Sequence, residues 1–336
     1  MNTKRISIIF IMMITLIAVP MAWSNGQQEA APAASGEAVE SAPDFPTDSI
    51  DFLIPFGAGG SADLVGRAIA SAAEASLGEA VVPINKPGAG GGIMYTELEK
   101  SKNDGYTVGW NSTSVVTATN IGNVPFGYDA FDHLCRIGYT SMPIAVKADS
   151  PWNTIEELAA YAKANPGKIK IGNAGTGSGT HLTAVLFENA AGIKVVHVPL
   201  GAKRRVPSLL GGEVEAICVP LPEAAPQADA GAIKILAVST EERHPAYPEI
   251  PTLMEKGWDV NMPLFRGISM PKGTDPAVLK TLEEAFEAAS QNEEFNKVAD
   301  MKGFIVDFMG HDEFEAYLAE QNMLAKAALK TAGLIQ

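Results

Sequence analysis

Short apolar runs alternate along the whole chain with segments that repeat apolar residues at helical spacing. In the first part, three runs predict β-strands: Ile50 to Phe56, Ala80 to Asn85 and Tyr106 to Trp110. The segment from Ser61 to Gly78 predicts a helix, because serine is a common helix N-cap and glycine commonly ends helices. This strand–helix–strand order predicts a parallel sheet with helices on its faces.

The same alternation returns after about residue 137. The predicted elements are helix 154–164, strand 168–173, a helix from 179, strand 194–199, helix 205–211, strand 214–219 and strand 233–239, followed by helices 276–290, 292–301 and 311–332. Two such repeats in roughly 290 residues correspond to two lobes of ordinary domain size. The sequence therefore predicts an α/β protein with two lobes.

The first 24 residues are organised as a secretory signal peptide. Lys4 and Arg5 precede a 14-residue, largely apolar run from Ile6 to Val19, and Ala22-Trp23-Ser24 places small residues where signal peptidase cuts. This run is shorter than the roughly 20 apolar residues of a membrane span. We expect cleavage after Ser24, a disordered tether over residues 25–44 and a periplasmic protein.

The charge of the chain limits its partners. The formal net charge is −14, and removal of Lys4 and Arg5 with the signal peptide leaves 23 basic against 39 acidic residues, or −16. Nucleic acid and anionic membranes are therefore disfavoured as partners. A small anion remains compatible, because backbone dipoles act locally while surface charge is screened over about 8 Å.

Cysteine and histidine do not indicate a metal site or a cofactor. Cys135 and Cys218 are the two cysteines of a chain whose predicted export permits a disulfide. Two buried free thiols are the preferred interpretation, and a disulfide is the alternative. The five histidines show no metal-ligand spacing with one another or with the cysteines.

Two loops rich in glycine and hydroxyl residues each follow a predicted strand and open a predicted helix. They are Pro55 to Asp63 and Asn173 to Thr180. A helix start offers unpaired N–H groups and the positive end of the helix dipole, so it can hold an anion without a cation. Ligands of open parallel sheets bind beyond the carboxyl ends of the strands. Two such helix starts, facing each other, would clamp one small carboxylate between two lobes.

Two enzyme-like interpretations of these loops are disfavoured. Residues 57–62 match the dinucleotide-binding pattern Gly-x-Gly-x-x-Ala, but that pattern needs an acidic residue after the second strand, where this chain has Asn85-Lys86. Neither Ser61 nor Ser178 lies in the Gly-x-Ser-x-Gly pattern of serine hydrolases. We therefore expect neither a nucleotide site nor a nucleophilic serine.

Seven short motifs follow one another over residues 48–334. They are Pro-Phe-x-x-Gly-Gly-Ser-x-Asp (55–63), Asn-Lys-Pro-Gly-Ala-Gly-Gly (85–91), Asp-Gly-Tyr-Thr (104–107), Gly-x-Gly-Ser-Gly-Thr-His-Leu (175–182), Val-Pro (198–199), Leu-Leu-Gly-Gly-Glu-Val (209–214) and Pro-Lys-Gly-Thr (271–274). As a series they resemble the receptors of tripartite tricarboxylate transporters, the TctC or Bug periplasmic binding proteins. The resemblance implies a Venus flytrap fold in which each lobe is a mostly parallel sheet flanked by helices. It also implies delivery of a small organic carboxylate to a two-component membrane permease.

The resemblance also implies lobe boundaries and ligand contacts. The first lobe is expected at 45–142 plus 262–336 and the second at 143–261, with strands 137–146 and 263–270 crossing between them. The implied ligand-binding residues are Phe56, Ala58, Gly59, Gly60, Ser61, Asp63, Ser112, Thr113, Gly175, Thr176, Gly177, Ser178, Thr180 and Arg266.

Departures from the family pattern bear on the ligand. Many members carry an aspartate where this chain has Val219, and an aromatic and a polar residue where it has Leu200-Gly201-Ala202. Since nothing in the sequence replaces that carboxylate, ligands with a free ammonium group are disfavoured and a di- or tricarboxylate is favoured. We expect backbone N–H groups at 59–61 and 176–178 to hold one carboxylate.

A second carboxylate would then need a cation. Arg266 is one candidate because it lies in an apolar strand, where a guanidinium needs a carboxylate partner, and an internal salt bridge is the alternative. The run Lys203-Arg204-Arg205 is the other candidate, and a solvated surface is its alternative.

The preferred hypothesis is a monomeric solute-binding protein without catalytic activity. An exported enzyme that reuses the cleft is one alternative, but the sequence has no nucleophile–base pair, metal constellation or cofactor motif to support it. The other alternative is a receptor whose ligand-bound form interacts with a sensor kinase rather than with a permease.

Overall fold

The computed structural model describes residues 44–200 and 204–336. The strands of this part are β1 (Ile50–Ile54), β2 (Val81–Asn85), β3 (Thr107–Ser112), β4 (Phe131–Thr140), β5 (Pro143–Lys147), β6 (Lys170–Asn173), β7 (Val196–Pro199), β8 (Ala216–Cys218), β9 (Ile233–Val238), β10 (Leu264–Pro271) and β11 (Ile305–Met309). Its α-helices are α1 (Ser61–Leu77), α2 (Gly92–Lys100), α3 (Ser114–Ile121), α4 (Ile155–Ala164), α5 (Gly179–Ala191), α6 (Arg205–Leu210), α7 (Leu221–Asp229), α8 (Pro276–Ser290), α9 (Glu293–Met301) and α10 (His311–Thr331). The predicted signal peptide, the predicted tether up to residue 43 and Lys203 lie outside the described residues.

The strands form two sheets, in the orders β11-β4-β10-β3-β1-β2 and β7-β6-β8-β5-β9. In the first sheet β1 to β4 run in one direction, and in the second sheet β6 to β9 do. The strands β10, β11 and β5 run the opposite way. The prediction of two mostly parallel sheets flanked by helices is thus confirmed, while the antiparallel direction of these three strands was not predicted.

Two connections join the sheets. The chain leaves β4 through Ser141 and Met142 to enter β5, and it returns from β9 to β10 through residues 239–263. The predicted crossing strand 137–146 is therefore divided between β4 and β5, and β10 lies wholly within the first sheet. Below, the six-stranded sheet with its helices is called the first lobe, and the five-stranded sheet with its helices the second lobe. The exact lobe boundaries stay a prediction.

Helix α1 shows how local sequence positions the first glycine loop. Gly60, and not Ser61 as predicted, is the N-cap, and no side chain caps this helix start. Gly78 ends the helix at a φ of +73°, where its N–H donates to the Glu74 carbonyl. Val65 and Ile69 are buried on the sheet side of the helix. This burial fixes the start of α1 at the carboxyl end of β1.

The two lobes share packing beside the connections. Helix α10 of the first lobe packs against α3 and also against α5 of the second lobe. Phe314 and Leu318 of α10 are fully buried in the same apolar cluster as Leu182 and Phe187 of α5. Apolar contact therefore continues from one lobe to the other on this side.

Both cysteines are buried free thiols, as the sequence interpretation preferred. Burial raises the pKa of the Cys218 thiol to about 12, so it stays protonated at neutral pH. Within residues 44–200 and 204–336, no helix combines the length and apolar character needed to cross a membrane.

Candidate ligand-binding cleft

A cavity of about 480 Å³, which we call the cleft, lies between the two lobes. The first lobe contributes the loop after β1, the end of β3, part of α3 and the start of β10, and the second lobe contributes the loop after β6. The predicted site residues that line the cleft are Phe56, Gly60, Ser61, Ser112, Gly175, Thr176, Gly177, Ser178, Thr180 and Arg266. The fold thus brings the two glycine loops together.

Four predicted residues are not among those that line the cleft: Ala58, Gly59, Asp63 and Thr113. The Asp63 carboxylate instead accepts hydrogen bonds from the Gly59 N–H at 2.8 Å, from Asn85 Nδ2 at 2.8 Å and from Arg67 Nε at 2.9 Å. Burial raises the pKa of Asp63, but these hydrogen bonds and the Arg67 charge outweigh it and bring it below its ordinary value. Asp63 therefore holds the first loop in shape and occupies the N–H of Gly59.

The second loop is braced by its own hydrogen bonds. The Gly177 N–H donates to His181 Nδ1 at 3.1 Å, and the Ser178 N–H donates to the Gly175 carbonyl at 3.0 Å. Two of the N–H groups that we expected to hold a carboxylate are therefore used within the loop. Ser178 Oγ caps α5 by accepting from the His181 N–H, which leaves its own proton available to a neighbour or a ligand.

The walls of the cleft approach closely at Gly177 and Ile121. Gly177 has a φ of +75°, and a Cβ atom placed on it would lie 2.0 Å from Ile121 Cδ1 of α3. Ile121 belongs to the first lobe and Gly177 to the second. In this structure the two walls of the cleft are therefore in contact.

Arg266 is a buried cation without an anionic partner. It is 8% exposed, lies opposite Ser112 in the sheet, and its guanidinium carbon lies 5.3 Å from the centre of the Phe56 ring. Its Nη1 atom has no hydrogen-bond partner, and among the described residues it forms no ion pair. Burial lowers the pKa of Arg266 to about 10, and nearby Tyr95 partly opposes this shift, so the side chain is charged at neutral pH. The internal salt bridge considered for Arg266 is therefore not found.

A second arginine on the cleft wall, Arg205, belongs to the basic run that the sequence offered as the other cation candidate. Arg205 is 4% exposed, lines the cleft and donates through Nη2 to Glu223 Oε1. The alternative of a solvated surface applies to Arg204, which forms an exposed ion pair with Glu213, but not to Arg205. Glu223 also lines the cleft, so the expectation that nothing replaces the missing carboxylate near Val219 is wrong. Burial raises the pKa of Glu223, and the Arg205 charge opposes the shift without cancelling it.

Hydroxyl groups line the first-lobe wall beside Arg266. Ser112 Oγ and Ser114 Oγ are 2.7 Å apart, and Ser114 Oγ is 2.6 Å from the Tyr95 hydroxyl. Burial raises the pKa of Tyr95 to about 12, so it remains a hydrogen-bond donor at neutral pH. Thr117 also lines the cleft and was missed, because the sequence reasoning predicted no helix over α3. The wall offers donors for an anion but, apart from Arg266, no charge.

His181 must be neutral to accept the Gly177 N–H, which predicts a pH dependence of stability. Burial lowers the pKa of His181 to about 4, and nearby His197 adds to the effect. An unfolded chain binds this proton near pH 6.5. The free energy of unfolding is therefore expected to fall as the pH decreases from about 6.5 to 4, by up to about 1.4 kcal/mol per pH unit from this group.

The variant His181→Asn tests this expectation. Asparagine keeps an acceptor for the Gly177 N–H but does not titrate. The free energy of unfolding of the variant should therefore depend less steeply on pH, by the contribution of about one proton taken up on unfolding. Urea unfolding of both proteins at pH 7, 6 and 5 measures the difference. Equal slopes would show that His181 does not couple the loop to pH.

Comparisons with known proteins place this geometry in a family. Residues 65–334 match the family model described as "Tripartite tricarboxylate transporter family receptor". The "UPF0065 protein in gbd 5'region" of Cupriavidus necator is 32% identical over 297 residues, which cover 86% of this chain and 89% of that protein.

Solved structures agree with the match. A TctC solute-binding protein from Polaromonas, solved without ligand, shares 33% identity at a TM-score of 0.76 and covers 85% of this chain and 99% of that one. A protein of R. palustris solved with adipate shares the fold at 24% identity and a TM-score of 0.76, covering 86% of this chain and 99% of that one. With a family match over most of its length and two glycine loops that meet at one interlobe cleft, the chain belongs to the tripartite tricarboxylate transporter receptor (TctC) family.

Proposed function

We propose that this protein is a periplasmic solute-binding protein that captures a small organic carboxylate in the cleft. The observation that carries the proposal is Arg266, a buried guanidinium that lines an interlobe cavity and has no anionic partner among the described residues. A buried cation without a partner is costly, and a carboxylate can satisfy a guanidinium through two hydrogen bonds. The uncapped start of α1 adds N–H donors at the same cavity.

A dicarboxylate or tricarboxylate fits the cleft best. Its charged lining residues are Arg266 on one wall and the Arg205–Glu223 pair on the other, so the lining carries one net positive charge in a chain of net charge −14. One carboxylate near Arg266 and a second near Arg205 would link the two lobes. The R. palustris relative with adipate carries a dicarboxylate, although at its identity the likeness extends to the fold alone.

A binding protein without catalytic activity is favoured over an enzyme. The Polaromonas relative is a solute-binding protein. Within the described part of the chain, no group of three histidine, cysteine or acidic side chains is arranged to hold a metal ion. Among the described residues, Ser178 Oγ is hydrogen-bonded to Thr180 Oγ1 and to the His181 backbone N–H, and not to the His181 imidazole, as a nucleophile–base pair would require.

A thermal-shift screen of organic acids tests the proposed ligand class. A ligand that binds only the folded protein adds about 2.7 kcal/mol at a hundredfold excess over Kd, and should raise Tm by several degrees. We expect the largest shifts from small di- and tricarboxylates. If no carboxylate in a broad panel shifts Tm, and calorimetry detects no binding, the proposed function is wrong.

Processing is expected to remove the first 24 residues. The charged start, the short apolar run and Ala22-Trp23-Ser24 predict an exported protein that begins at Asn25. Intact-mass analysis of the protein from the periplasmic fraction measures this directly. A retained Met1, or the added mass of a lipid, would contradict the prediction.

We also propose that the protein delivers its ligand to a two-component membrane permease. The alternative is that the ligand-bound protein signals to a sensor kinase. Membrane vesicles that contain the matching large and small permease subunits should accumulate a labelled carboxylate only when the loaded protein is added. Binding without any stimulation of uptake would instead favour the sensor. A pair of genes for such membrane proteins beside the gene for this chain would support the permease.

A further inference from the structure

An acidic side chain, Glu223, lies on the wall of the cleft in which we propose that an anion binds. Glu223 belongs to the first turn of α7, and it lines the same cavity as Arg266 of the facing wall. Its side chain is 29% exposed, whereas that of its partner Arg205 is 4% exposed. A carboxylate ligand therefore enters a cavity that already contains a carboxylate, and the proposed function assigns no role to that group.

The charged form of Glu223 has little support from the protein. Its Oε1 atom accepts a hydrogen bond from Arg205 Nη2, and its buried Oε2 atom has no hydrogen-bond partner among the described residues. A buried carboxylate oxygen without a donor disfavours the ionised form. Burial raises the pKa of Glu223, and the Arg205 charge opposes this shift only in part. Arg205 is therefore the group that keeps Glu223 ionised.

Other charged groups near α7 do not take the place of Arg205. Helix α7 packs against β5 and β9, and a Cβ atom placed on Gly303 would lie 3.7 Å from Leu221 and Pro222 of α7. The ionisable side chains of α7, of these neighbours, of β8, of the start of α6 and of the cleft are Asp229, Lys147, Lys234, Lys302, Cys218, Arg204, Arg205 and Arg266. Lys147 pairs with Asp149, Lys234 donates to Asn153, Arg204 pairs with Glu213, and Asp229 accepts from the Tyr247 hydroxyl. Among the described residues, only Arg205 forms an ion pair with Glu223.

The charges of the cleft and of a dicarboxylate do not match. Arg266, Arg205 and Glu223 give the lining one net positive charge, whereas a fully ionised dicarboxylate brings two negative charges. Protonation of Glu223 would raise the charge of the lining to two and close the difference. A second ligand carboxylate beside Arg205 would also share the cation that keeps Glu223 ionised. Both effects raise the pKa of Glu223 in the bound protein above its value in the free protein.

We propose that the cleft binds a dicarboxylate together with one proton, and that Glu223 accepts this proton. The inference rests on the proposed function. Arg205 exchanges the Glu223 carboxylate for the second carboxylate of the ligand, and a proton from the solvent neutralises Glu223. Since the bound state holds the additional proton, the affinity for the dicarboxylate rises as the pH falls, until Glu223 is protonated in the free protein as well.

Calorimetry with succinate and adipate in buffers of different ionisation enthalpy, MES and imidazole at pH 6.5, counts the protons taken up on binding. The protonation of the ligand itself is the same for every variant, so the comparison with Glu223→Gln isolates this side chain. The wild type should take up more protons per bound dicarboxylate than Glu223→Gln, by up to about one. Equal proton uptake by the two proteins would overturn the inference.

The affinity of Glu223→Gln separates a proton acceptor from a structural residue. Glutamine keeps an oxygen for Arg205 and resembles the protonated side chain, so at pH 8 the variant should bind a dicarboxylate about three- to tenfold more tightly than the wild type. The difference should shrink as the pH falls to 6. A residue that only holds α7 in place would instead give weaker binding when it is replaced, and this result would also overturn the inference.

Glu213→Gln is the matched control. Glu213 is exposed, pairs with the neighbouring Arg204 and does not line the cleft, so its replacement should change neither proton uptake nor affinity. The same gain in affinity for both variants would show a general effect of the negative charge of the chain and would contradict the role of Glu223. If neither dicarboxylate binds the wild type, the proposed ligand class fails together with this inference. If a dicarboxylate binds with a proton uptake that does not depend on Glu223, only this inference fails.

Discussion

Replacing Arg266 with glutamine is expected to weaken the binding of a dicarboxylate by about 10- to 100-fold. Arg266 lines the cleft as a buried guanidinium with no protein partner, so a ligand carboxylate would form a charge-assisted pair in a site removed from water. Such hydrogen bonds contribute about 1.5–3 kcal/mol. Calorimetry with succinate measures the effect.

The stability of Arg266→Gln separates ligand binding from a structural role. Removing an unpaired buried charge should leave Tm unchanged or raise it, because the desolvation cost of that charge disappears. Arg204→Gln is the matched control, since Arg204 is an exposed, paired arginine that does not line the cleft. A lower Tm together with an unchanged affinity for succinate would mean that Arg266 supports the fold and does not meet a ligand carboxylate.

Replacing Gly177 with alanine is expected to weaken ligand binding about tenfold, because the new methyl group must displace either the Ile121 side chain or the wall that carries it. The added Cβ would meet Ile121 Cδ1 at 2.0 Å on the opposite wall, and the φ of +75° is unfavourable for any residue with a Cβ. The backbone strain alone costs about 1–2 kcal/mol of stability. Calorimetry with the same carboxylate and thermal unfolding of the variant measure the two effects.

Gly212 provides the control for backbone strain. Its φ is +76°, and an added Cβ would meet no atom within 4 Å. Gly212→Ala should therefore lose stability but keep its ligand affinity. In the double variant Gly177→Ala, Ile121→Ala the opposite wall is shortened, so part of the affinity should return. If Gly212→Ala weakens binding as much as Gly177→Ala, or if the double variant recovers nothing, the contact between the walls does not control binding.

Much of the fold could be predicted because its elements are locally encoded. Apolar residues recur at helical spacing over most of α1, and a glycine follows its last turn. The end of this helix was therefore predicted to within one residue. Helix α3 was missed because its Val-Val-Thr-Ala-Thr segment is rich in β-branched residues, which have low helix propensity. Strands were expected at β5 and β10, but their antiparallel direction was not predicted. It depends on pairing with strands far away in the chain, which the local sequence does not specify.

Part of the candidate site could likewise be predicted from local sequence, and part depends on how distant segments pack. The glycine loops were recognised from contiguous sequence, and the structure brings both to one cleft. Arg205 and Glu223 are 18 residues apart on two helices, so their pairing depends on how α6 and α7 pack and not on any local motif. Asp63 was expected at the ligand, but its neighbours Gly59 and Asn85 occupy its carboxylate. Spacing alone could not distinguish a residue that holds a loop from one that faces the cavity.

A crystal structure of the protein with the carboxylate that raises Tm most tests the central claim most directly. We expect one ligand carboxylate within hydrogen-bond distance of the Arg266 guanidinium, between the start of α1 and the second glycine loop. Ligand density elsewhere, with Arg266 still lacking an anionic partner, would contradict the assignment of this cleft as the binding site.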